Sequence, residues 1–382
     1  MSLRKNRLLT PGPTQVPESA RLAMARDVVH HRTPQFRALF AEVLAGLKEV
    51  LQTQDDVLVL ASSGTGAMEA AVTNLAPRGG KVIVLDAGRF AQRWAEIATA
   101  FGIEVVRHQV TWGQAVDPAD VARLLVEHPD AVAVYGTLME SSTGVAHDVE
   151  AIARVVRPTR AVFVVDGISG AGCVECRTSQ WGIDMLVVGS QKALMCPPGL
   201  AFVTVSDKAR RQIESIQPQS FYFNLRLHLE KLRGDADTPW TPAITLISGL
   251  AESLRLIRGA GMENVWRRSR RLAGAMRAGA SAIGLEVFAQ RPADGMTAIR
   301  VPDAIGAARL LQRLEERFGL KLAGGQGPLK GKIFRIAHFG LVDELDLLAT
   351  LAALELVLLE LGAPVALGAG VAAASGVLAG GK

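Results

Sequence analysis

The first half of the chain alternates short apolar runs with amphipathic stretches of helical periodicity. Continuous Val, Ile and Leu runs separated by helices are typical of a mainly parallel sheet covered by helices on both faces. We therefore predict an α/β fold with a seven-stranded, mainly parallel sheet between helices. Its strands are expected at residues 57–60, 82–85, 104–106, 131–135, 162–165, 186–188 and 202–205.

The pattern changes at about residue 242, where helical periodicity continues to about 281 and is interrupted at Gly259-Ala-Gly261. Short strand candidates and two helices follow, which predicts a smaller α+β C-terminal domain. The strand candidates are 285–288, 298–301, 321–323 and 334–337, and the helices are 305–317 and 342–361. The expected division is an N-terminal arm (1–35), a large domain (36–241), a small domain with its linking helix (242–361) and a tail (362–382).

The tail is rich in Ala and Gly and has no charged residue between Glu360 and Lys382. Its length would suffice for a membrane span. However, Ala and Gly are only weakly hydrophobic, and Pro364 interrupts the segment. We therefore predict a flexible or loosely packed extension rather than a membrane anchor.

Composition narrows the possible partners. Apolar residues make up 49% of the 382 residues and charged residues 21%, which is typical of a globular enzyme. The net charge of +5 is mild. Its densest cluster, Arg267-Arg-Ser-Arg-Arg271, lies inside a helical pattern and indicates a solvated helix face rather than a nucleic-acid patch. Neither nucleic acid nor a membrane is expected as a partner.

The chain has three cysteines, Cys173, Cys176 and Cys196. An odd, low count, without an apolar leader after the charged N-terminus, favours a reducing compartment, so we expect a cytoplasmic protein. Cys173 and Cys176 have the spacing of metal ligands, but no second pair completes a tetrahedral site. Buried or incidental thiols are the simpler interpretation, and no metal is expected.

The segment Ser62-Ser-Gly-Thr-Gly-Ala-Met-Glu69 follows the first predicted strand and opens a helix. Glycines allow the backbone to approach an anion, and the N–H groups of a helix N-terminus can bind a phosphate. A dinucleotide-binding loop is the alternative, and Asp86 would suit it, but Glu69 stands where the third glycine belongs. An ordinary tight turn is also possible.

Chemically capable side chains follow the ends of successive predicted strands. Phe90 could stack on a flat ring, and the hydroxyls of Glu140-Ser-Ser-Thr-Gly144 could bind ring substituents. Asp166 could hold a pyridine nitrogen protonated, and the amine of Lys192 could form a Schiff base with an aldehyde. Each residue alone has a structural explanation, such as a turn, a helix cap or a surface lysine. Their ordered combination favours a site for pyridoxal 5'-phosphate.

At this point the sequence resembles the class V, fold-type I pyridoxal phosphate aminotransferases, and within them the alanine–glyoxylate and serine–pyruvate branch. The resemblance covers about residues 8–360. The matching segments are Thr10-Pro-Gly-Pro-Thr14, His31-Arg-Thr-Pro34, Ser63-Gly-Thr-Gly-Ala67, Gly88-Arg-Phe90, Glu140-Ser-Ser-Thr-Gly144, Val165-Asp166, Gly189-Ser-Gln-Lys192, Pro197-Pro-Gly199 and Gly331-Lys-Ile-Phe-Arg335.

The resemblance implies a role for each matching residue. Lys192 and Asp166 would be catalytic, and Arg335 would bind the substrate carboxylate beneath the arm that contains Gly12. Thr238 and Thr241 would reach the phosphate of a neighbouring subunit, which implies a homodimer. Some members carry Tyr where Thr238 stands and His where Ala67 stands. The full set of cofactor-binding residues would be Lys192, Asp166, Thr65, Gly66, Ala67, Phe90, Ser141, Gln191, Thr238 and Thr241.

The implied activity is ping-pong transamination of alanine or serine with glyoxylate or pyruvate. Lys192 would first carry the cofactor and then move the proton of the substrate Cα. A 2-aminoethylphosphonate–pyruvate transaminase is an alternative with a similar N-terminal motif. A cysteine desulfurase would need a cysteine in the C-terminal domain, and none follows Cys196. The non-enzymatic alternative is an inactive scaffold subunit of a larger complex.

Overall fold

The chain is described by a computed structural model that covers residues 5–380. Residues 1–4 of the predicted arm and residues 381–382 of the predicted tail lie outside the described residues. Up to residue 235, the strands are β1 Arg7–Leu8, β2 Asp56–Ser62, β3 Lys81–Asp86, β4 Glu104–Gln109, β5 Ala133–Thr137, β6 Met139–Glu140, β7 Val145–Ala146, β8 Val162–Asp166, β9 Met185–Gly189 and β10 Gly199–Val205. The helices are α1 Glu18–Met24, α2 Pro34–Val50, α3 Gly64–Leu75, α4 Arg89–Ala100, α5 Pro118–Glu127, α6 Val149–Val156, α7 Thr178–Trp181, α8 Asp207–Ser215 and α9 Leu225–Asp235.

A seven-stranded sheet with the order β2-β10-β9-β8-β5-β3-β4 forms the centre of this region. All seven strands predicted from the apolar runs are present, and the mainly parallel α/β fold is confirmed. Strand β10 alone runs antiparallel, against both β2 and β9. The connection from β9 to β10 spans only residues 190–198, which is too short for the crossover that a parallel neighbour requires.

Both faces of the sheet are buried, as the continuous apolar runs indicate. In β3, Ile83 and Leu85 join the apolar cluster that includes Phe36 of α2. Val82 and Val84 point to the other face and join the cluster that includes Trp94 of α4. This alternation explains why the strand is apolar at every position, since successive side chains point to opposite covered faces.

The remainder of the chain forms a second, smaller set of elements around its own apolar cluster. Strands β11 (Met296–Arg300), β14 (Ile333–Ala337) and β13 (Ala323–Gly324) make a three-stranded antiparallel sheet, and β1 of the arm pairs in parallel with β12 (Leu320–Lys321). The expected strand at 285–288 is reduced to a single bridge between Val287 and Ile299. The elements are α10 Ile244–Ala260, α11 Met262–Ala282, β11 Met296–Arg300, α12 Ala307–Phe318, β12 Leu320–Lys321, β13 Ala323–Gly324, a 3-10 turn at Gly327–Leu329, β14 Ile333–Ala337, α13 Glu344–Glu360 and α14 Ala369–Gly380.

The tail prediction was wrong for residues 369–380, which form helix α14 packed against α11 and α13. Small residues allow two helix backbones to approach closely. A Cβ placed on Gly370 of α14 would lie 3.0 Å from the carbonyl oxygen of Gly279 on α11. The buried carboxylate of Glu355 on α13 accepts hydrogen bonds from Gly368 N at 2.6 Å and Gly370 N at 2.7 Å. The Ala/Gly content therefore serves close helix packing rather than flexibility.

Within residues 5–380, no helix combines the length and the apolar character that crossing a membrane requires. The four-part domain division given above stays a prediction, since it concerns independent folding units rather than the elements themselves.

Candidate active site

The residues predicted at successive strand ends meet around one cavity of about 120 Å³. They meet because β2, β3, β5, β8 and β9 all run in the same direction, so their carboxyl ends lie at one edge of the sheet. The cavity is lined by Ser63, Gly64, Thr65, Phe90, Arg93, Met139, Ser141, Asp166, Ile168, Ser169, Gln191 and Lys192.

The amine of Lys192 lies at this cavity beneath the N-terminal arm. Its Nζ donates a hydrogen bond to the carbonyl oxygen of Pro11 at 2.6 Å. Burial lowers the pKa of Lys192 to about 8, and the positive charges of Arg335 and Arg93 act in the same direction, while the charge of Asp166 opposes the shift. About a tenth of the amine is therefore free base at pH 7, so a nucleophile is available near neutral pH.

Gly12 lets the arm approach Lys192. Its φ of +110° lies in a region that favours glycine. A Cβ built on Gly12 would overlap the Lys192 side chain. The arm is also tied down next to the lysine, because Thr14 N donates to Gln191 O at 3.1 Å and Thr14 Oγ1 donates to Lys192 O at 2.8 Å. The arm thus shields the amine from solvent.

The carboxylate of Asp166 ends β8 and is 5% exposed. Its Oδ1 accepts a hydrogen bond from Ile168 N at 2.8 Å. Burial raises the pKa of Asp166 to about 7, against the lowering effect of that hydrogen bond and of the charges of Lys192 and Arg93. A cation placed beside Asp166 would favour its ionised form.

The loop from Ser63 to Thr65 opens α3 at the edge of the cavity. The first N–H groups of a helix have no acceptor within the helix and are free for an anion. A Cβ on Gly66 would overlap Ser62 Oγ, so the turn has no room for a side chain there. The Oε1 atom of Gln191 is buried nearby and has no hydrogen-bond partner among residues 5–380. Ala67 lies outside the cavity lining, fully buried in the apolar cluster beneath α3.

Glu140 fixes the backbone at the start of α4, which carries Phe90. Its fully buried Oε2 accepts hydrogen bonds from Phe90 N at 3.2 Å and Ala91 N at 2.9 Å, at the start of α4. The hydroxyl of Ser142 donates to Oε1 of Glu140 at 2.7 Å and accepts from Arg89 N at 3.0 Å. The hydroxyl of Ser142 is therefore used in hydrogen bonds within the protein. Ser141, in contrast, lines the cavity, and its hydroxyl accepts a hydrogen bond from Ser169 Oγ at 3.3 Å.

Arg335 lies on β14, 5% exposed, and reaches the segment that contains Ser141. Its Nη1 donates to Ser141 O at 2.7 Å and its Nε donates to Gly324 O at 2.9 Å. Burial lowers the pKa of Arg335 to about 10, so the guanidinium is charged at neutral pH. Two carbonyl oxygens thus fix the orientation of this side chain without neutralising its charge.

Thr238 and Thr241 do not reach the cavity within one chain. The buried hydroxyl of Thr238 donates to Trp240 O at 2.7 Å, and Thr241 is exposed. Both residues line a separate depression together with Tyr222 and His228. Their predicted role concerns a neighbouring subunit, and it stays a prediction.

Arg93 is a charged cavity residue that the sequence reasoning missed, in addition to Met139, Ile168 and Ser169. Its Nη1 donates to Thr65 Oγ1 at 3.1 Å, and its Cζ lies 5.3 Å from the centroid of the Phe90 ring. A signal was available, because positions i and i+3 lie on the same helix face and Arg93 follows Phe90 by three residues. The cysteines, in contrast, contribute little: all three are buried, and burial raises the pKa of Cys176 and Cys196 to about 12.

The seven-stranded sheet with an amine, a carboxylate and a helix N-terminus at one edge defines the class of protein. The chain matches the family Aminotransferase class-V over residues 18–330, and it belongs to that family. It is therefore an aminotransferase, of a family whose members and fold neighbours depend on pyridoxal phosphate.

The individual proteins to which this chain is similar are named for different activities. The chain is 41% identical over 383 residues to "Soluble hydrogenase, small subunit" of Synechococcus sp., covering 98% of both chains. It is 36% identical to the L-aspartate–glyoxylate aminotransferase of Paracoccus denitrificans, covering 97% of this chain and 95% of that one. The crystal structure of a ureidoglycine–glyoxylate aminotransferase from Bacillus subtilis matches with a TM-score of 0.93 at 29% identity, covering 99% of both chains.

Proposed function

We propose that the protein is a pyridoxal 5'-phosphate-dependent aminotransferase that transfers the amino group of a small L-amino acid, alanine or serine, to glyoxylate or pyruvate by a ping-pong mechanism. The observation that carries this proposal is the buried amine of Lys192 in one cavity with Asp166 and the N-terminus of α3. When bound, the cofactor would supply an electron sink that makes the substrate Cα–H acidic.

The residues present fit that cofactor. Lys192 offers an amine for its aldehyde, and Asp166 offers a carboxylate for its pyridine nitrogen. The open N-terminus of α3 at Thr65 suits a phosphate. Phe90 offers an aromatic face for the ring. The buried Oε1 of Gln191 accepts no hydrogen bond from the described part of the chain, and a donor on the cofactor could bind to it.

The chain's own groups would perform the proton chemistry. Because burial lowers its pKa to about 8, Lys192 can both accept and return a proton near neutral pH. Arg335 would hold the substrate carboxylate, since its charge is kept at neutral pH and its fork geometry matches a carboxylate. The Pro11-Gly12 arm above Lys192 would exclude water from the reacting atoms.

Glyoxylate is the better supported acceptor. The aminotransferases from Paracoccus denitrificans and Bacillus subtilis are named for different amino donors, aspartate and ureidoglycine, but both for glyoxylate. Their difference in donors leaves the donor of this chain to experiment, and 2-aminoethylphosphonate stays an alternative.

The test is a panel of donors with purified enzyme and its Lys192→Ala variant. Alanine, serine, aspartate and 2-aminoethylphosphonate are each assayed with glyoxylate and with pyruvate. We expect the highest kcat/KM for alanine or serine with glyoxylate, and a loss of at least roughly a thousandfold in the variant because the nucleophile is removed. Full turnover by Lys192→Ala would disprove the mechanism, and a preference for 2-aminoethylphosphonate would replace the substrate assignment.

The name of the Synechococcus relative suggests a second possibility, a subunit of a hydrogenase complex. This agrees with the scaffold alternative considered from the sequence. Purified protein that takes up no pyridoxal phosphate, as judged by visible absorption, would favour the subunit role. Yellow protein whose absorption changes on addition of an amino donor would favour the enzyme.

A homodimer is part of the proposal. Phe221 is 78% exposed and Tyr222 43%, and both contact the ring of Trp240 beside Thr241. An exposed aromatic cluster beside a predicted phosphate contact supports a second copy at this surface. A cytoplasmic location and the absence of nucleic-acid and membrane partners stay predictions.

A further inference from the structure

Arg93 lines the cavity and has no carboxylate partner among the residues that the structure describes. Most arginines on the described helices pair with a carboxylate; on the same helix, Arg89 Nη1 lies 2.6 Å from Glu96 Oε1. Arg93 forms no ion pair within residues 5–380. Its described polar contact is the hydrogen bond from Nη1 to Thr65 Oγ1. A partly buried guanidinium that lines the cavity and has no carboxylate partner among the described residues is available to pair with an anionic group of a ligand.

The contacts of Arg93 show which part of the cavity lies next to its guanidinium group. Thr65 belongs to the first turn of α3, where the helix dipole already favours an anion. Arg335 contacts a different segment, at the carbonyl oxygen of Ser141. The charge of Arg93 lowers the pKa of both Lys192 and Asp166, which agrees with a location close to the reacting groups.

The hydrogen bond between Arg93 and Thr65 also has a direction. A guanidinium can only donate, so Thr65 Oγ1 accepts from it. The hydroxyl proton of Thr65 is then free to point at a third group. Thr65 and Arg93 together therefore present O–H and N–H donors to the same anion, beside the free N–H groups of α3.

We propose that Arg93 is a phosphate-binding residue, which supplies from α4 the positive charge that pairs with the phosphate of the cofactor held at Ser63-Gly-Thr65. This inference rests on the proposed function, because it assigns a phosphorylated cofactor to the cavity. Phosphate is favoured over a substrate carboxylate because Arg93 bonds to the helix N-terminal loop rather than to the segment that Arg335 contacts. A pairing of this kind is strong, since both partners are charged.

The experiment compares pyridoxal phosphate with pyridoxal, which has the same ring and aldehyde but no phosphate. Cofactor-free wild type, Arg93→Ala, Arg93→Lys and Arg154→Ala are titrated with each compound, with binding read from absorption and from quenching of tryptophan fluorescence. We expect Arg93→Ala to weaken pyridoxal phosphate binding by roughly 10- to 100-fold and pyridoxal binding by less than about twofold. Arg93→Lys should fall between, because it keeps the charge but loses the fork.

Arg154→Ala is the matched control. Arg154 is a surface arginine on α6 with a side chain that is 75% exposed and paired with Glu150, so its loss changes the net charge equally without touching the cavity. It should bind both compounds as wild type does. Inorganic phosphate should compete with pyridoxal phosphate in wild type and less in Arg93→Ala, and thermal unfolding of each variant checks that it folds.

Several outcomes would overturn the inference. Equal weakening of both compounds would assign Arg93 to the ring or to Phe90. If Arg93→Ala keeps the wild-type cofactor affinity but has a raised KM for aspartate alone, Arg93 would be assigned to a substrate carboxylate. If wild type and Arg93→Ala bind pyridoxal phosphate equally well, only the role of Arg93 is rejected. Wild type that binds none rejects the proposed function together with it.

Discussion

Burial of the Lys192 amine changes both its protonation and its access to solvent. The Pro11 carbonyl oxygen covers Nζ, and Gly12 leaves no side chain between the arm and the lysine. A surface lysine has a pKa near 10.4 and is almost wholly protonated at neutral pH. The pKa of about 8 therefore distinguishes Lys192 from a solvated lysine side chain.

This difference predicts the pH dependence of Lys192 in the cofactor-free enzyme. Only the free base reacts with an acylating reagent, and the free-base fraction rises as pH increases through the pKa. Modification of the Lys192 peptide, followed by mass spectrometry, should therefore accelerate with a midpoint near pH 8. In Asp166→Asn the midpoint should move lower, because the negative charge of Asp166 raises the pKa of Lys192. A midpoint near 10 in wild type would show that the amine is solvated.

At the scale of the element, the C-terminal helix α14 depends on a carboxylate from another helix. Glu355 is 2% exposed and accepts from Gly368 N, Gly370 N and Val371 N. These are the N–H groups that a helix start leaves without a partner. Glu355 thus caps α14 from α13, and the Ala/Gly sequence of α14 lets it lie close to α11.

Replacement of Glu355 by Ala should destabilise the protein by about 2 kcal/mol, because three N–H groups at the start of α14, among them the buried N–H of Gly370, lose their acceptor. Glu355→Gln keeps an acceptor and should cost less. Thermal and denaturant unfolding measure both variants. Glu360→Ala is the control on the same helix: its exposed ion pairs with Arg313 and Arg317 should contribute no measurable stability. Equal stability of Glu355→Ala and wild type would show that α14 does not depend on this cap.

At the scale of the whole molecule, the separation of Thr241 from the cavity bears on whether the active site is shared between two subunits. Thr241 is exposed in one chain and lines a different depression from Lys192. In the proposed homodimer it would complete the phosphate site of the other subunit. Each cavity would then combine Lys192 of one protomer with Thr241 of its partner.

A hybrid dimer tests this arrangement. One protomer carries Lys192→Ala and the other Thr241→Ala, with different affinity tags so that only hybrids are purified. If the site is shared, both defects fall in one cavity and the other is intact, so the hybrid should retain about half of the wild-type activity at limiting cofactor. If Thr241 acts within its own chain, neither cavity is intact, and activity should fall below that of a dimer with Lys192→Ala in one protomer only. A monomer in sedimentation would contradict the dimer itself.

Much of the fold follows from local pattern. Each of the seven strands was predictable because apolar runs of Val, Ile and Leu are the local signature of a strand buried on both faces. Lys192, Asp166, Phe90, Ser141 and Thr65 were predictable as neighbours because parallel strands bring their carboxyl ends to one edge. The assigned roles of these residues stay predictions until the experiments above are performed.

Other features were not predictable, for two physical reasons. The position of Arg93 could be inferred from its spacing to Phe90, but its unpaired charge could not, because ion pairing depends on residues remote in sequence. Helix α14 was missed because Ala and Gly carry little hydrophobic signal, and its stability comes from Glu355 and the close approach to α11 rather than from its own side chains.

The sequence by itself determined the strands and their mainly parallel arrangement, since these depend on local apolar periodicity. It also determined several groups at the edge of the sheet, since these follow the strand ends. Only the tertiary structure decided that Pro11 covers Lys192, that Arg335 bonds to Ser141 and that Arg93 bonds to Thr65. Such contacts join segments that are far apart in the chain and leave no periodic trace in it. They arise where independently formed elements pack together, and that packing lowers the pKa of the Lys192 amine.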